Sequence, residues 1–148
     1  MAATISLCMI VRNEEKVLAR CLESVRGCVD EIIIVDTGSS DGTKEIAARF
    51  TDKIYDFEWI DDFSAARNYS FEQATGDYLL WLDADDVLLP ADAEALLRFK
   101  AERLADCNVV MLRYNSTPVF KLDKCLKKCY YTIVIKLICK FSVLSERK

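Results

Sequence analysis

The sequence predicts an α/β fold, a mostly parallel sheet with helices on both faces. Three observations predict it. Short apolar runs recur without polar alternation, as in strands buried on both sides. Segments with apolar residues at helical spacing lie between them. Turn-forming clusters of Gly, Asp, Asn and Ser close the runs, giving the strand–helix alternation of parallel sheets.

The elements follow in order. Ile5 to Val11 is a buried strand, after which Asn13 is expected to cap a helix with Glu14 and Glu15 in its first turn. Val17, Leu18, Cys21, Leu22 and Val25 mark that helix, and Gly27 ends it. Glu31 to Val35 is a second strand, closed by Asp36-Thr37-Gly38-Ser39-Ser40-Asp41-Gly42, with Asp41 as the natural N-cap of a helix through Ile46, Ala47 and Phe50. Lys53 to Phe57 is a third, weaker strand, and Phe63 to Ala74 a helix stopped by Gly76. Tyr78 to Leu82 is a fourth strand that runs into Asp83-Ala84-Asp85-Asp86. Pro90 suits the first turn of a helix reaching about Leu104, and Val109 to Arg113 is a fifth strand. Trp59, Trp81 and the phenylalanines are expected in the core.

The chain has 148 residues, 52% apolar and 30% charged, enough for one domain with a real core. Glycine and proline are too scarce for a fibrous or linker-like class. No run reaches the ~20 apolar residues of a membrane helix; Tyr130 to Leu144 is interrupted by Lys136 and Lys140. The first residues lack a basic region and a cleavage site, so a secretory signal is not expected. With seven cysteines and no such signal, the expectation is reduced thiols in a cytoplasmic protein. Cys125, Cys129 and Cys139 make a poor zinc set, since the chain has no histidine and no second pair closes a tetrahedron.

Charge divides the chain. Residues 1–115 carry 12 basic and 22 acidic side chains, whereas residues 116–148 carry 8 and 2. The expected organisation is a domain portion over 1–115 and a basic, apolar C-terminal segment of unclear role over 116–148. The acidic part would repel a phosphate backbone, which disfavours nucleic acid as partner. The basic segment admits peripheral contact with an anionic membrane surface.

In an open parallel sheet, ligands bind at the carboxyl ends of the strands, where strand order reverses. Three such ends carry unusual polar residues: Arg12-Asn13-Glu14, Asp36 to Asp41, and Asp83 to Asp86. Three carboxylates within four residues repel one another unless a cation neutralises them. Hard oxygen donors without His or Cys suit Mg²⁺ or Mn²⁺, which usually bind one or two carboxylates plus substrate phosphates. Without such an ion, the cluster is a solvated turn with Asp86 capping the next helix. Gly-x-Gly-x-x-Gly and the P-loop are both absent. Asp36 at a strand end is placed to accept from a ligand N–H, and Arg67, beside Asn68, suits a diphosphate.

Four blocks then resemble family 2 glycosyltransferases with the GT-A (Rossmann-like) fold. They are Ile5 to Glu15, Val35 to Thr43, Phe63-Ser64-Ala65-Ala66-Arg67-Asn68, and Leu82 to Asp86, in that order over about residues 4–115. The third is typical of a subgroup often found with tetratricopeptide repeats. The resemblance implies that Asp36 contacts the nucleobase, commonly uracil, and that Ile10, Val11 and Arg12 line the base pocket. It implies that Arg67 lies near base and phosphates, and that Asp83, Ala84 and Asp85 meet the diphosphate. Asp83 and Asp85 would be the metal-binding pair, holding Mn²⁺ or Mg²⁺. The donor would be a nucleotide-diphospho-sugar, UDP-linked, transferred with inversion to a saccharide, lipid or protein acceptor. A homodimer is compatible with this reading.

The family's general base stands in an acceptor half that residues 116–148 do not resemble, so the catalytic base is unassigned; Asp123 and Glu146 are the only acids there. The expectation is therefore a donor-binding portion that retains the nucleotide-sugar and metal sites, with turnover left open. Two rivals are a non-catalytic nucleotide-sugar-binding fragment and a haloacid-dehalogenase-like phosphatase, whose Asp-x-Asp pattern normally follows the first strand.

Overall fold

The computed structural model describes residues 3–107, 109–110 and 137–139. Its strands are β1 (Ile5–Val11), β2 (Glu31–Asp36), β3 (Ile54–Asp56), β4 (Tyr78–Leu80), β5 (Val109–Val110) and β6 (Leu137–Cys139). Its helices are α1 (Leu18–Val25), α2 (Thr43–Ala47), α3 (Phe63–Glu72) and α4 (Pro90–Glu102), with a 3₁₀ turn over Leu104–Asp106.

The sheet order is β3-β2-β1-β4-β6-β5. The first four strands are parallel, and Leu7 of β1 pairs with Ile32 on one side and Leu80 on the other. β6 runs antiparallel between β4 and β5. The chain winds outward from β1 to β3 and then crosses back to β4 on the far side of β1. The crevice between the carboxyl ends of β1 and β4 is therefore the switch point at which such sheets bind ligands.

β1 explains why the run from Ile5 to Val11 does not alternate in polarity. Ile5, Leu7, Met9 and Val11 face a core shared with Leu18, Leu22 and Val25 of α1, Leu96 of α4 and Leu104. Cys8 faces the other way, with Ile33, Val35 and Leu79, under Tyr69 and Phe71 of α3. Both faces are covered by helices, as the fold class requires.

Several boundaries differ from expectation. α1 begins at Leu18 without a side-chain cap, and Asn13 sits at φ 57° clasping another loop. β4 ends at Leu80, so Trp81 and Leu82 lead into the acidic turn outside the strand. The expected fifth strand is described only at Val109–Val110, where it is antiparallel. The sheet draws β6 from the basic segment; the rest of that segment, with Cys125, Cys129, Asp123, Glu146 and the proposed membrane-contact residues, lies outside the described residues. Among the described residues no helix is long and apolar enough to cross a membrane.

Candidate functional site

Four loops meet at the carboxyl edge, and local hydrogen bonds fix three of them. The first two are stitched together. Thr37 donates from its N–H and Oγ1 to Val11 O at 3.0 and 3.2 Å. Asn13 N–H donates to Ser39 Oγ at 2.9 Å, and Asn13 Oδ1 accepts from Ser40 N–H at 2.8 Å. Glu14 N–H reaches Thr43 Oγ1 at 2.7 Å, while Glu15 accepts from Gly42 N–H at 2.9 Å. Asp41 accepts from Thr43 N–H at 3.0 Å and from Thr43 Oγ1, bonds that hold its carboxyl below the usual range.

Asp36 closes β2. Its Oδ1 accepts from Gly38 and Ser39 N–H at 2.9 and 2.8 Å, in a turn that Gly38 permits by adopting φ 101°. Its Oδ2 is buried and has no hydrogen-bond partner among the described residues. A buried carboxylate oxygen left unpaired is costly, so it calls for an explanation.

The acidic turn after β4 separates its three aspartates. Asp86 is buried and structural: its Oδ2 accepts from Asp83 N–H at 2.9 Å, and its N–H donates back to Asp83 O at 3.0 Å. Asp83 and Asp85 are exposed. Arg20 donates to Asp85 O at 3.4 Å and Cys21 Sγ to Asp83 O at 3.5 Å, so α1 holds the turn by its carbonyls and leaves both carboxylates outward. Burial pushes the Cys21 thiol up to about 12, with the three aspartates adding to it against Arg20. That thiol is buried and turned to the Asp83 carbonyl.

Arg67 projects from α3 toward the same place. Its Nη2 lies 3.6 Å from Asp83 Oδ1 and its Cζ 5.7 Å from the Trp81 ring centroid, while Nη1 is buried without a partner. Glu14 faces the turn from the first loop. Burial, then Asp85, Asp41 and Asp83, raise its carboxyl pKa, which reports a concentrated negative field.

These groups bound a cavity of about 370 Å³. Of the residues expected at the site, Ile10, Val11, Arg12, Arg67, Asp83, Ala84 and Asp85 line it. Asp36 does not line it; Thr37, the next residue, does. Glu14, from the first of the polar strand ends, lines it as well, and Val17, Trp59 and Phe63 line it unanticipated. The aromatic pair corrects the core assignment: Phe63 is 70% exposed and Trp59 half-buried. Both follow the third strand at the carboxyl edge, and that position was the available signal.

A divalent cation fits this donor set. Asp85's carboxylate has no hydrogen bond or ion pair among the described residues, and Asp83's has only the long contact to Arg67. Among the described residues no three acidic or thiol groups converge on one point. Two hard carboxylates short of a full shell suit a Mg²⁺-like ion completed by phosphates and water.

The comparisons with known proteins agree with this geometry. The family model described as glycosyl transferase family 2 matches residues 6–140. A TPR repeat-containing protein of Synechococcus elongatus is 54% identical over 87 residues, covering 59% of this chain and 22% of that protein. The SPbeta prophage-derived glycosyltransferase SunS of Bacillus subtilis is 41% identical over 86 residues, 57% of this chain and 20% of the relative. The chain thus spans about a fifth of the length of these curated relatives. Among solved structures, TarS of S. aureus superposes over 97% of this chain and 49% of its own, with TM-score 0.67 and 18% identity. Glucosyl-3-phosphoglycerate synthase of Mycobacterium tuberculosis, solved with Mn²⁺ and UDP-glucose, covers 56% of this chain and 33% of its own, with TM-score 0.50 and 24% identity.

Proposed function

The chain belongs to glycosyl transferase family 2, and from that premise we propose that its carboxyl-edge cavity binds the diphosphate and base of a nucleotide-sugar, UDP-linked, for transfer to an acceptor hydroxyl. The observation that carries the reading is the pair of exposed carboxylates, Asp83 and Asp85, beside Arg67 at the switch point of the sheet.

Asp83 and Asp85 would hold Mn²⁺ or Mg²⁺, which when bound supplies positive charge against the departing nucleoside diphosphate. Arg67 adds a fixed cation at the cavity wall, whose planar fork suits a phosphate oxygen. Ile10, Val11 and Arg12 wall the nucleoside side, while Asp36, expected to accept from the base, lies buried behind Thr37 and outside the cavity lining. The reaction is an inverting displacement. The acceptor oxygen bonds to the anomeric carbon, the carbon–phosphate oxygen bond breaks, and its electron pair leaves with the diphosphate. A carboxylate takes the acceptor's proton, and none of the described residues is assigned that role. The acceptor, a saccharide, lipid or protein, is not fixed by this edge. The phosphatase alternative has no support, since the Asp-x-Asp turn follows the fourth strand and the family match lies elsewhere.

Calorimetric titration of UDP, GDP and dTDP, with Mn²⁺ and with chelator, tests the reading. UDP should bind in Mn²⁺, and chelator or Asp85→Ala should each weaken it more than about tenfold, a loss above ~1.4 kcal/mol. Metal-independent binding, or binding of none of the three, overturns it.

A further inference from the structure

We propose that Trp59 and Phe63 form a stacking ledge for the flat base of the nucleotide, an inference that rests on the donor-binding reading above. The two rings meet edge to face, centroids 4.7 Å apart at 71°, within the cavity wall. Burial does not place Phe63 there, since it is 70% exposed and Ile60 in the same loop is 60% exposed; Trp59 is half-buried. Local bonds hold the ledge instead. Trp59 Nε1 donates to Asp61 Oδ1 at 2.8 Å, which uses the indole's one polar atom and leaves an apolar ring. Asp61 adopts φ 56°, an uncommon conformation for a non-glycine residue, and Asp62 caps α3 by accepting from Ser64 and Ala65 N–H at 2.8 and 3.1 Å. Phe63 is thereby fixed as the first residue of the helix.

The position of the ledge selects its occupant. Phe63 and Arg67 are four residues apart on α3 and so stack along one helix face. Arg67 meets Asp83, so one wall runs from the acidic turn through Arg67 to Phe63. A diphosphate gripped at the acidic end projects its nucleoside toward the aromatic end. The rest of the lining includes Arg12, Glu14 and Thr37, polar groups that an aliphatic chain would leave dry and unpaired. A heteroaromatic base satisfies both walls, with a π-face for the rings and polar edges for the rest. Stacking of this kind tolerates any base, so the ledge supplies affinity and leaves base choice to the polar edges.

The test uses the full 148-residue chain with Mn²⁺ and two probes, UDP and inorganic pyrophosphate. Phe63→Ala should weaken UDP by about 5- to 100-fold, leave pyrophosphate affinity unchanged, and be rescued by Phe63→Tyr. In Trp81→Phe, whose one remaining tryptophan is Trp59, UDP should change the emission and pyrophosphate should not. Equal UDP affinity in Phe63→Ala overturns the ledge. Parallel loss of pyrophosphate also overturns it, because the effect would then run through Arg67. If Phe63→Ala does not fold, the emission experiment decides alone. A parent chain that binds pyrophosphate but no UDP defeats the ledge and the donor reading together, whereas UDP binding with no aromatic dependence defeats only the ledge.

Discussion

The two edges of the sheet are both acidic and opposite in character. At the amino edge Asp30, Asp77 and Glu31 each have their partners. Asp30 accepts from Ile5 N–H at 2.7 Å and from Lys100, and Asp77 accepts from Thr4 N–H and Oγ1 at 2.9 and 2.8 Å. Glu31 gathers Ser6 Oγ, Lys53 Nζ, Thr75 N–H at 2.8 Å and Thr75 Oγ1 at 2.9 Å. At the carboxyl edge Asp36 Oδ2 and Arg67 Nη1 are buried and unpaired, and Asp83 and Asp85 point outward. The larger cavity, about 480 Å³, is at the amino edge, lined by Arg26, Asp30, Glu31 and Thr75 among others. Volume therefore does not mark the site; unsatisfied polar groups do.

The sharpest way to break this contrast is a reciprocal pair of variants. Glu31→Ala strips four donors of one nearly buried acceptor and should cost about 2–4 kcal/mol of stability, read by urea unfolding. UDP affinity measured below the transition should stay near the parent value. Asp85→Ala should do the reverse, losing UDP affinity in Mn²⁺ while unfolding at the parent's midpoint. If both variants lose stability and affinity alike, the edges are not separable.

Gly76→Ala comes next. A Cβ at that position would lie 2.6 Å from Ser6 Oγ and 3.0 Å from Ser6 N, a backbone atom in β1. Ser6 Oγ cannot swing aside cheaply, because it accepts from Gly76 N–H at 2.9 Å and donates to Glu31. The expected cost is about 1–3 kcal/mol, measured by the same unfolding experiment, with nucleotide binding unaffected.

How far the sequence foretold these edges depends on what each feature rests on. β1 and β2 were legible because burial on both faces removes alternation, and Asp83 to Asp86 because carboxylates at a strand end are conspicuous. Asn13 was misread. Before a helical stretch it resembles a cap, but its partner Ser40 lies in the second loop, a tertiary contact that local pattern does not carry. Trp59 and Phe63 were misread through composition, since aromatic rings are usually core and only the path of the loop after β3 turns them outward. The insertion of β6 beside β4 was illegible for the same reason: strand pairing across some sixty residues leaves no local trace.

Glu31 and Glu14, one at each edge, predict opposite responses to pH. Burial alone would raise the Glu31 carboxyl, but bonds from Lys53, Ser6 and Thr75 outweigh it and hold the pKa at about 2, against an ordinary 4.5. A folded-state pKa below the unfolded one gives stability that is complete above about 4.5 and is lost as pH falls toward 2. Glu31→Gln should flatten that acid limb of a melting-temperature profile. Glu14 has the contrary sign, because burial and then Asp85, Asp41 and Asp83 raise its pKa and its charge opposes folding at neutral pH. Glu14→Gln should therefore raise the melting temperature slightly at pH 7. A steeper acid limb in Glu31→Gln would contradict the assignment of the amino edge.

The smallest effect tests whether the contrast belongs to edges or to individual groups. Asn13 lies at the carboxyl edge but is satisfied, its Oδ1 accepting from Ser40 N–H at 2.8 Å while its backbone holds φ 57°. Asn13→Ala loses that bond and keeps the left-handed backbone without the tolerance asparagine has for it, which should cost about 1–2 kcal/mol. Asn13→Gly loses the same bond but relieves the backbone, so its cost should be smaller by about 1 kcal/mol. Comparing their unfolding midpoints separates the hydrogen bond from the strain. If satisfaction marks structure wherever it occurs, both variants lose stability and neither loses much UDP affinity. A loss of nucleotide binding in Asn13→Gly at an unchanged midpoint would show that a side chain engaged in the loop also serves the site, and the contrast would then need a criterion other than unpaired polar atoms.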